Sequence, residues 1–367
     1  MKAVSGLGAV LLTTAAAVVA AVGPADAAPT DALASAVQDI VAANGGGAIG
    51  MVRDGATERT AAAGLGDLYR GVRADPAAQF RIGSNTKVFA STVLLQLEAE
   101  GKLSLDDTVA KWLPGALHGT NDGAKVTIRQ LLNHTSGVYD YMTDPLTLLT
   151  YGVNVFPDLK YTPQQIVDIA NRTAPYSPPG KEWHYANTNY ILAGMVIRAV
   201  TGHDPSVEIK NRILTPLGLT RTYMPDGASK LSGNHLHGYG YVLDVTTSNT
   251  SLTGTAGAAV STLADQATFQ RALLTGKLLP KKQMQELETT VPAGAEGTEY
   301  GLGLVRSKTA CGTVWSHEGA VLGYLALWMS DESGQHQVLM ASNVFPGPNT
   351  NAIRDAGTKA FCATEQP

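Results

Sequence analysis

The sequence has few cysteines, few aromatic residues and no concentrated block of charge. Only two of its 367 residues are cysteine, so at most one disulfide bond can form within the chain. Lys and Arg total 27 against 31 Asp and Glu, and no basic run occurs, so composition gives nucleic-acid binding no support. No internal repeat is visible, which argues against a repeat architecture. What remains is an ordinary globular composition, 44% hydrophobic and long enough for a large core.

The first residues are typical of a secretory signal peptide. Lys2 provides a short positive start, and residues 7–22 form an uninterrupted run of apolar and small residues. Ala25-Asp26-Ala27 then has the small-x-small pattern of a cleavage site. The alternative is an uncleaved membrane anchor, although the run is short for a bilayer span. We expect residues 1–27 to be removed and the protein to be secreted; no later stretch is apolar enough to cross a bilayer.

The two cysteines, Cys311 and Cys362, are expected to form a disulfide bond, because export to an oxidising compartment permits pairing. The bond would close a loop of about 50 residues, worth roughly 4 kcal/mol in the chain-entropy model. The alternative is two independent buried thiols.

The pattern of extended and helical segments predicts an α+β fold. Strands are expected near both ends of the chain and helices between them. The predicted architecture is a mainly antiparallel five-stranded sheet flanked by helices, with an inserted all-helical domain. Residues 28–83 and 260–367 would form the sheet-containing part and residues 84–259 the mainly helical part, as one catalytic unit. The late strands include residues 314–329, with a turn expected near residues 318–323.

Ser84-Asn85-Thr86-Lys87 begins a strongly helical run. Ser84 would lie near a helix N-terminus, where free N–H groups and the helix dipole favour developing negative charge. Lys87, three residues later, shares that face, and a desolvated amine can help remove the hydroxyl proton. Alone, the pattern also fits a capping serine followed by a solvated lysine.

Two further patterns add candidate groups. In Tyr185-Ala186-Asn187, the phenol could act as a general base if nearby cations lower its pKa, and the Asn187 amide could bind a substrate carbonyl. Alone, this pattern also fits a helix entry.

In His317-Glu318-Gly319, the glycine would let a substrate backbone lie along a strand edge. The N–H of Ala320 could then complete an oxyanion hole with that of Ser84. Alone, this pattern also fits a turn with a surface histidine.

Together the three patterns resemble a family, the serine β-lactamase-like proteins, specifically class C β-lactamases and D-alanyl-D-alanine carboxypeptidases. Their order and wide spacing match, and two further segments are similar. Residues 130–137, Gln-Leu-Leu-Asn-His-Thr-Ser-Gly, resemble the family's "LLxHTSG" segment, and Ser177-Pro178-Pro179-Gly180 resembles its "F-x-PG" segment. The resemblance covers nearly the whole chain after residue 27.

The resemblance implies roles for individual residues. It implies that Ser84 is the acylated nucleophile, that Lys87 helps to activate it and that Tyr185 carries the proton to the leaving group. Asn187 would bind the acyl side of the substrate, and His317 stands where class C enzymes have lysine.

The sequence departs from the carboxypeptidase pattern around a sub-site for the substrate carboxylate. Those relatives usually have His-Thr-Gly-Thr, whereas this chain has Glu318 and Ala320 at the two threonine positions. Val305 stands where close relatives have an arginine, and Arg306 follows it. If Glu318 faces the cleft, it repels a carboxylate by roughly 4 kcal/mol at about 4 Å; the alternative is that it points to solvent.

We therefore expect a secreted acyl-serine hydrolase, D-alanyl-D-alanine carboxypeptidase-like, that acts on D-amino-acid peptides, amides or esters. The alternatives are a β-lactamase or esterase of the same fold, or a penicillin-binding protein with slow turnover. No cofactor, metal ion or nucleic acid is expected, and the expected state is a monomer that binds a peptide or small-molecule substrate.

Overall fold

The computed structural model describes residues 31–225, 230–241 and 243–363. The predicted signal peptide, residues 1–27, lies outside these ranges. Within them, no helix is both long and apolar enough to cross a membrane.

Strands from both ends of the chain form one sheet. The strands are β1 (Gly47–Asp54), β2 (Thr57–Asp67), β3 (Val72–Arg73), β4 (Phe80–Arg81), β5 (Tyr239–Gly240), β6 (Leu243–Asp244), β7 (Val260–Ser261), β8 (Val291–Pro292), β9 (Thr298–Tyr300), β10 (Val305–Thr309), β11 (Gly312–Val321), β12 (Tyr324–Asp331) and β13 (His336–Ser342). The main sheet has the order β3-β2-β1-β13-β12-β11-β10-β9-β8, and its neighbouring strands are antiparallel. The predicted α+β class is confirmed, but over the described residues the sheet has nine strands rather than five, because short strands extend both edges.

Helices surround this sheet and fill the middle of the chain. They are α1 (Ala32–Asn44), α2 (Thr86–Ala99), α3 (Val109–Trp112), α4 (Ile128–Leu132), α5 (Pro145–Gly152), α6 (Pro163–Asn171), α7 (Asn187–Thr201), α8 (Pro205–Ile209), α9 (Thr215–Leu217), α10 (Gly254–Gly257), α11 (Leu263–Leu274), α12 (Lys281–Glu288) and α13 (Ala352–Ala363). Short 3-10 turns occupy Gly83–Asn85 and Tyr141–Thr143. Local capping sets helix boundaries. At the start of α1, for example, the Asp31 side chain accepts a hydrogen bond from Leu33 N–H.

The two faces of the sheet belong to two separate apolar clusters. Alternate residues of a strand point to opposite faces, so β1 sends Ala48 and Val52 to one cluster and Ile49 and Met51 to the other. The first cluster is shared with α1 and α13, and the second with α2 and the helical middle of the chain. This second face carries the candidate site.

A disulfide bond joins the turn between β10 and β11 to α13. Cys311 and Cys362 are bonded, with their Cα atoms 5.5 Å apart. The predicted pairing is confirmed, and the alternative of two independent thiols is wrong. The bond ties the strand that carries His317 to the helix that covers the opposite face of the sheet.

The turn predicted near residues 318–323 lies at the end of that range. β11 continues to Val321, which pairs with Tyr324 of β12. The turn therefore consists of Leu322 and Gly323. Glu318 lies inside a strand, where the alternation of side chains fixes the face to which it points.

Candidate active site

Ser84 lies on the short 3-10 turn that leads into α2. Thr86 fixes this turn, because its hydroxyl donates to Gly83 O at 2.7 Å and accepts from the N–H of Ala259 at 3.0 Å. Ser84 itself is only partly buried and lines a large cavity. Its hydroxyl is therefore held in a fixed place at the start of a helix, where a substrate in the cavity can contact it.

Lys87 is completely buried beneath Ser84. Its Nζ donates to Ser84 Oγ at 3.0 Å, to Asn187 Oδ1 at 2.8 Å and to the carbonyl of Ala256 at 2.7 Å. Burial lowers the pKa of Lys87 to about 7, although the carboxylate of Asp140 opposes this shift. Near neutral pH, an appreciable share of the lysine is thus an uncharged amine within reach of the Ser84 proton.

Tyr185 also lies close to Ser84, and both residues line the cavity. Nζ of Lys87 lies 4.9 Å from the centre of the Tyr185 ring. The condition under which this phenol could act as a general base, a pKa lowered by nearby cations, is not met. Burial raises the pKa of Tyr185, and the nearby Ser84 side chain only partly opposes this shift. A neutral phenol can pass on a proton but is not itself the base that the site needs. Lys87, whose pKa is lowered, is the better placed base.

Asn187, at the start of α7, is held from two sides. Its Oδ1 accepts from Lys87, while its Nδ2 donates to Asp140 Oδ2 at 3.1 Å. Its backbone N–H donates to Asp140 Oδ1, also at 3.1 Å. Asn187 lines the cavity as well. Its predicted contact with the acyl side of a substrate would therefore use the second N–H of the amide.

His317 is buried and both of its ring nitrogens have protein partners. Nδ1 lies 2.7 Å from the carbonyl of Glu318, and Nε2 lies 3.0 Å from the hydroxyl of Tyr300. Nδ1–H therefore donates to the carbonyl, and Nε2 accepts from the phenol. Burial and the nearby Lys87 lower the pKa of His317 to about 3. The structure thus places a neutral imidazole near Lys87, outside the described lining of the cavity.

Glu318, predicted to contact substrate, points away from the site. Its carboxylate is paired with Arg354 of α13, with Nη2 and Oε2 3.0 Å apart and a second contact through Nε. The physical reason is strand alternation, which sends neighbours of His317 to the face covered by α13. The predicted repulsion between Glu318 and a substrate carboxylate is therefore wrong.

Gly319 allows β11 to approach the nucleophile turn. A Cβ atom there would collide with the carbonyl oxygen of Ile82 and lie 3.2 Å from Ser84 N. At Gly83, a Cβ atom would lie only 2.8 Å from Ala320 N. Gly319 therefore permits this contact between β11 and the nucleophile turn, and its contact with a substrate backbone stays a prediction. The close approach brings the backbones of Ser84 and Ala320 together, as an oxyanion hole requires.

The cavity beside Ser84 has a volume of about 770 Å³. Most of its lining is apolar, and the described residues in that lining include no Lys, Arg or His. They are Ser84, Tyr141, Met142, Pro145, Leu148, Leu149, Tyr151, Gly152, Val153, Tyr185, Asn187, Tyr241, Thr253, Ala256, Gly257, Ala320, Val321, Leu322, Phe345 and Pro346. A pocket of this size and composition suits an apolar group of a small substrate.

Sequence reasoning missed three contributors to the site. Asp140 holds Asn187, the Ala256 carbonyl accepts from Lys87, and Tyr300 donates to His317. The only sequence signal for Asp140 is its place three residues after the segment that resembles "LLxHTSG". A backbone carbonyl leaves no signal at all.

The pKa of Lys87 gives a prediction for the pH dependence of activity. If Lys87 accepts the Ser84 proton, kcat/KM must rise with pH until the amine is deprotonated. We expect an increase of about tenfold per pH unit below roughly pH 7 and a plateau above it. The measurement is hydrolysis of p-nitrophenyl acetate, which has no titratable group in this range.

The matched control is Lys87→Arg, because a guanidinium keeps its proton throughout the range. This variant should be inactive at every pH tested. A wild-type rise centred near pH 10, or an active arginine variant, would contradict the assignment of Lys87 as the base.

Comparison with known proteins agrees with this geometry. The sequence profile of the Beta-lactamase family matches residues 33–360. PbpX of Bacillus subtilis, a penicillin-binding protein by name, is 28% identical over 299 residues, which cover 80% of this chain and 69% of PbpX. Protein flp of Staphylococcus aureus is 31% identical over 180 residues, which cover 48% of this chain and only 34% of flp.

Solved structures are similar over nearly the whole chain. A D-stereospecific amidohydrolase from Streptomyces sp. is 39% identical with a TM-score of 0.84, covering 90% of this chain and 98% of that one. D-amino acid amidase from Ochrobactrum anthropi SV3, in complex with D-phenylalanine, is 26% identical with a TM-score of 0.80, covering 91% and 98%. The match of the family profile, which spans most of the sequence, shows that this chain belongs to the Beta-lactamase family and is an acyl-serine hydrolase of the penicillin-binding protein, D-amino acid amidase and β-lactamase type.

Proposed function

We propose that the protein is an exported D-stereospecific hydrolase that cleaves amides and esters of D-amino acids carrying a large apolar group. The observation that carries this proposal is the cavity of about 770 Å³ beside Ser84, with its largely apolar lining. The named activities of the Streptomyces and Ochrobactrum proteins support the choice of D-amino acid derivatives. The apolar run and small-x-small site in residues 1–27 support export.

The proposed reaction begins with attack of Ser84 Oγ on the carbonyl carbon of the substrate. As the new C–O bond forms, the hydroxyl proton moves to the neutral amine of Lys87. The N–H groups of Ser84 and Ala320 stabilise the oxyanion. The C–N or C–O bond to the leaving group then breaks while Tyr185 gives that group a proton and takes one back from Lys87, so the amine or alcohol departs and the acyl group stays on Ser84. Water then attacks the ester carbonyl, with the same groups in reverse roles.

The choice of amides and esters over peptides with a free C-terminal carboxylate rests on charge. Cleavage of a D-Ala-D-Ala peptide would place a carboxylate in the leaving-group side of the site. Arg306 is directed elsewhere, since it pairs with Glu299 at 3.3 Å and Glu332 at 2.9 Å. A buried polar group without a partner costs about 1–3 kcal/mol, and a charge costs more. The apolar lining therefore favours neutral substrates, although Glu318 plays no part in that preference.

A kinetic panel tests this substrate class. We expect kcat/KM for D-phenylalanine amide to exceed that for a D-Ala-D-Ala peptide by at least about tenfold, equivalent to 1.4 kcal/mol. L-phenylalanine amide is the stereochemical control and should react far more slowly.

The other arms of the panel distinguish the remaining candidates. A higher kcat/KM for the D-Ala-D-Ala peptide than for the amide would favour a D,D-carboxypeptidase. Rapid hydrolysis of a chromogenic cephalosporin would favour a β-lactamase. A single burst of acylation without turnover would favour a slow penicillin-binding protein. Each result would overturn the proposed substrate class.

Two leucines of α5 allow a second test of the proposal that the cavity holds the apolar group of the substrate. Leu149 lines the cavity, whereas Leu146 lies on the same helix outside its described lining, and their exposed fractions are similar at 61% and 66%. Leu149→Asp should lower kcat/KM for D-phenylalanine amide by about tenfold, because a charge replaces apolar contact area. Leu146→Asp should leave it within about twofold. Equal effects of the two substitutions would show that the cavity does not hold the apolar group.

A further inference from the structure

Asp140 is a buried carboxylate outside the described lining of the cavity, yet it is linked to the nucleophile through two intermediate residues, Asn187 and Lys87. Its side chain is 5% exposed. Oδ1 accepts from the N–H groups of Met142 and Asn187, each at 3.1 Å, and Oδ2 accepts from Asn187 Nδ2 at 3.1 Å. All three donors therefore converge on one carboxylate, two of them from Asn187.

We propose that Asp140 is a positioning residue, which fixes the orientation of the Asn187 amide and thereby directs the lone pair of Lys87 at the hydroxyl of Ser84. The proposal depends on the acyl-transfer step at Ser84 that the proposed function requires, but not on which substrate the protein hydrolyses.

The orientation follows from the hydrogen-bonding capacity of the groups. An ionised carboxylate can only accept, and a lysine amine offers its hydrogens to oxygen. With Asp140 on one side, the NH2 group of Asn187 must face it, which leaves Oδ1 facing Lys87. Reversing the amide would set two donors against each other on the Lys87 side and two acceptors against each other on the Asp140 side.

The orientation of the Asn187 amide determines which hydrogen bonds the neutral form of Lys87 makes. An uncharged amine has two hydrogens and one lone pair. Asn187 Oδ1 at 2.8 Å and the Ala256 carbonyl at 2.7 Å are both acceptors without a hydrogen to donate, so they take the two hydrogens. The lone pair is left for the third partner, Ser84 Oγ, at 3.0 Å. When the Ser84 O–H bond breaks, its proton moves to this lone pair and Lys87 becomes an ammonium ion.

Asp140 also acts on Lys87 through its charge. Among the residues that the structure describes, the titratable groups near Lys87 are Asp140, His134, Tyr185, Tyr190 and His317. Burial and Lys87 lower the pKa of both histidines, and burial raises the pKa of both tyrosines, so these four groups are neutral around pH 7. Asp140 is the group in this set that raises the pKa of Lys87.

Asp140→Asn tests the proposal with little change in volume. The Oδ1 of the introduced amide can keep both backbone N–H bonds, but its NH2 group replaces the acceptor that faces Asn187. The Asn187 amide then reverses and presents its NH2 group to Lys87. With p-nitrophenyl acetate as the probe, we expect the plateau value of kcat to fall about 10- to 100-fold, the cost of a misdirected catalytic group. The acid limb of the pH profile should move to lower pH, because the charge that raises the pKa of Lys87 is gone.

A charge swap separates positioning from a general loss of structure. When Asp140→Asn is combined with Asn187→Asp, the carboxylate introduced on α7 can accept both from the amide introduced at position 140 and from Lys87. The acceptor that faces Lys87 is thus restored. We expect this double variant to recover plateau kcat relative to Asp140→Asn, with its acid limb displaced to higher pH, because a carboxylate now contacts the amine. The control is Asp204→Asn, which removes the charge of the aspartate that caps α8 and should leave the pH profile unchanged.

Thermal denaturation of each variant checks that the fold is intact. Asp140→Asn with a wild-type plateau, or with an unmoved acid limb, would overturn the proposal, as would a double variant no more active than the single one. Hydrolysis of p-nitrophenyl acetate by the wild type together with no activity on D-amino acid amides would reject the proposed substrate class and leave this test valid.

Discussion

The burial of the Lys87 amine beside Ser84 is the interaction on which the chemistry of this protein depends. An ammonium ion removed from water is strongly destabilised unless it is paired, and here its three partners are a hydroxyl, an amide oxygen and a backbone carbonyl, none of them charged. The pKa of Lys87 therefore falls to about 7. The carboxylate of Asp140, which is bonded to the Lys87 partner Asn187, limits that fall. The fold provides a base of suitable strength by excluding water from it.

The sheet explains how residues far apart in the chain reach this amine. Strands from both ends of the sequence pair in one sheet, and β11 passes directly beside the turn that carries Ser84. Glycine at positions 83 and 319 permits this approach, because a side chain at either position would collide with the facing backbone. The bond between Cys311 and Cys362 ties the start of β11 to α13 on the other face. The pairing of the strands and the close approach of β11 to the nucleophile turn thus bring together the groups on α2, before α7 and on β11.

The sequence was sufficient to predict the fold class, the disulfide bond and the grouping of Ser84 with Lys87 and Tyr185, because short motifs and their order carry that information. It was insufficient where the role of a residue depends on where its side chain points or how deeply it is buried. Glu318 is adjacent to His317 in the chain, but strand alternation turns it toward Arg354 on the opposite face of the sheet. The pKa of Tyr185 depends on burial, which its neighbours in sequence do not reveal. Asp140 and Asn187 are 47 residues apart, so no local pattern connects them.

The central claim is that Ser84, prepared by a neutral Lys87, carries the acyl group during turnover. The most direct test is to mix the protein with a D-phenylalanine ester at pH 8, quench with acid within the first turnovers, and locate the adduct by peptide mass spectrometry. We expect a D-phenylalanyl group on the peptide containing Ser84, absent from Ser84→Ala and strongly reduced when the L-ester is used. An adduct on another residue, or turnover by the alanine variant, would contradict it.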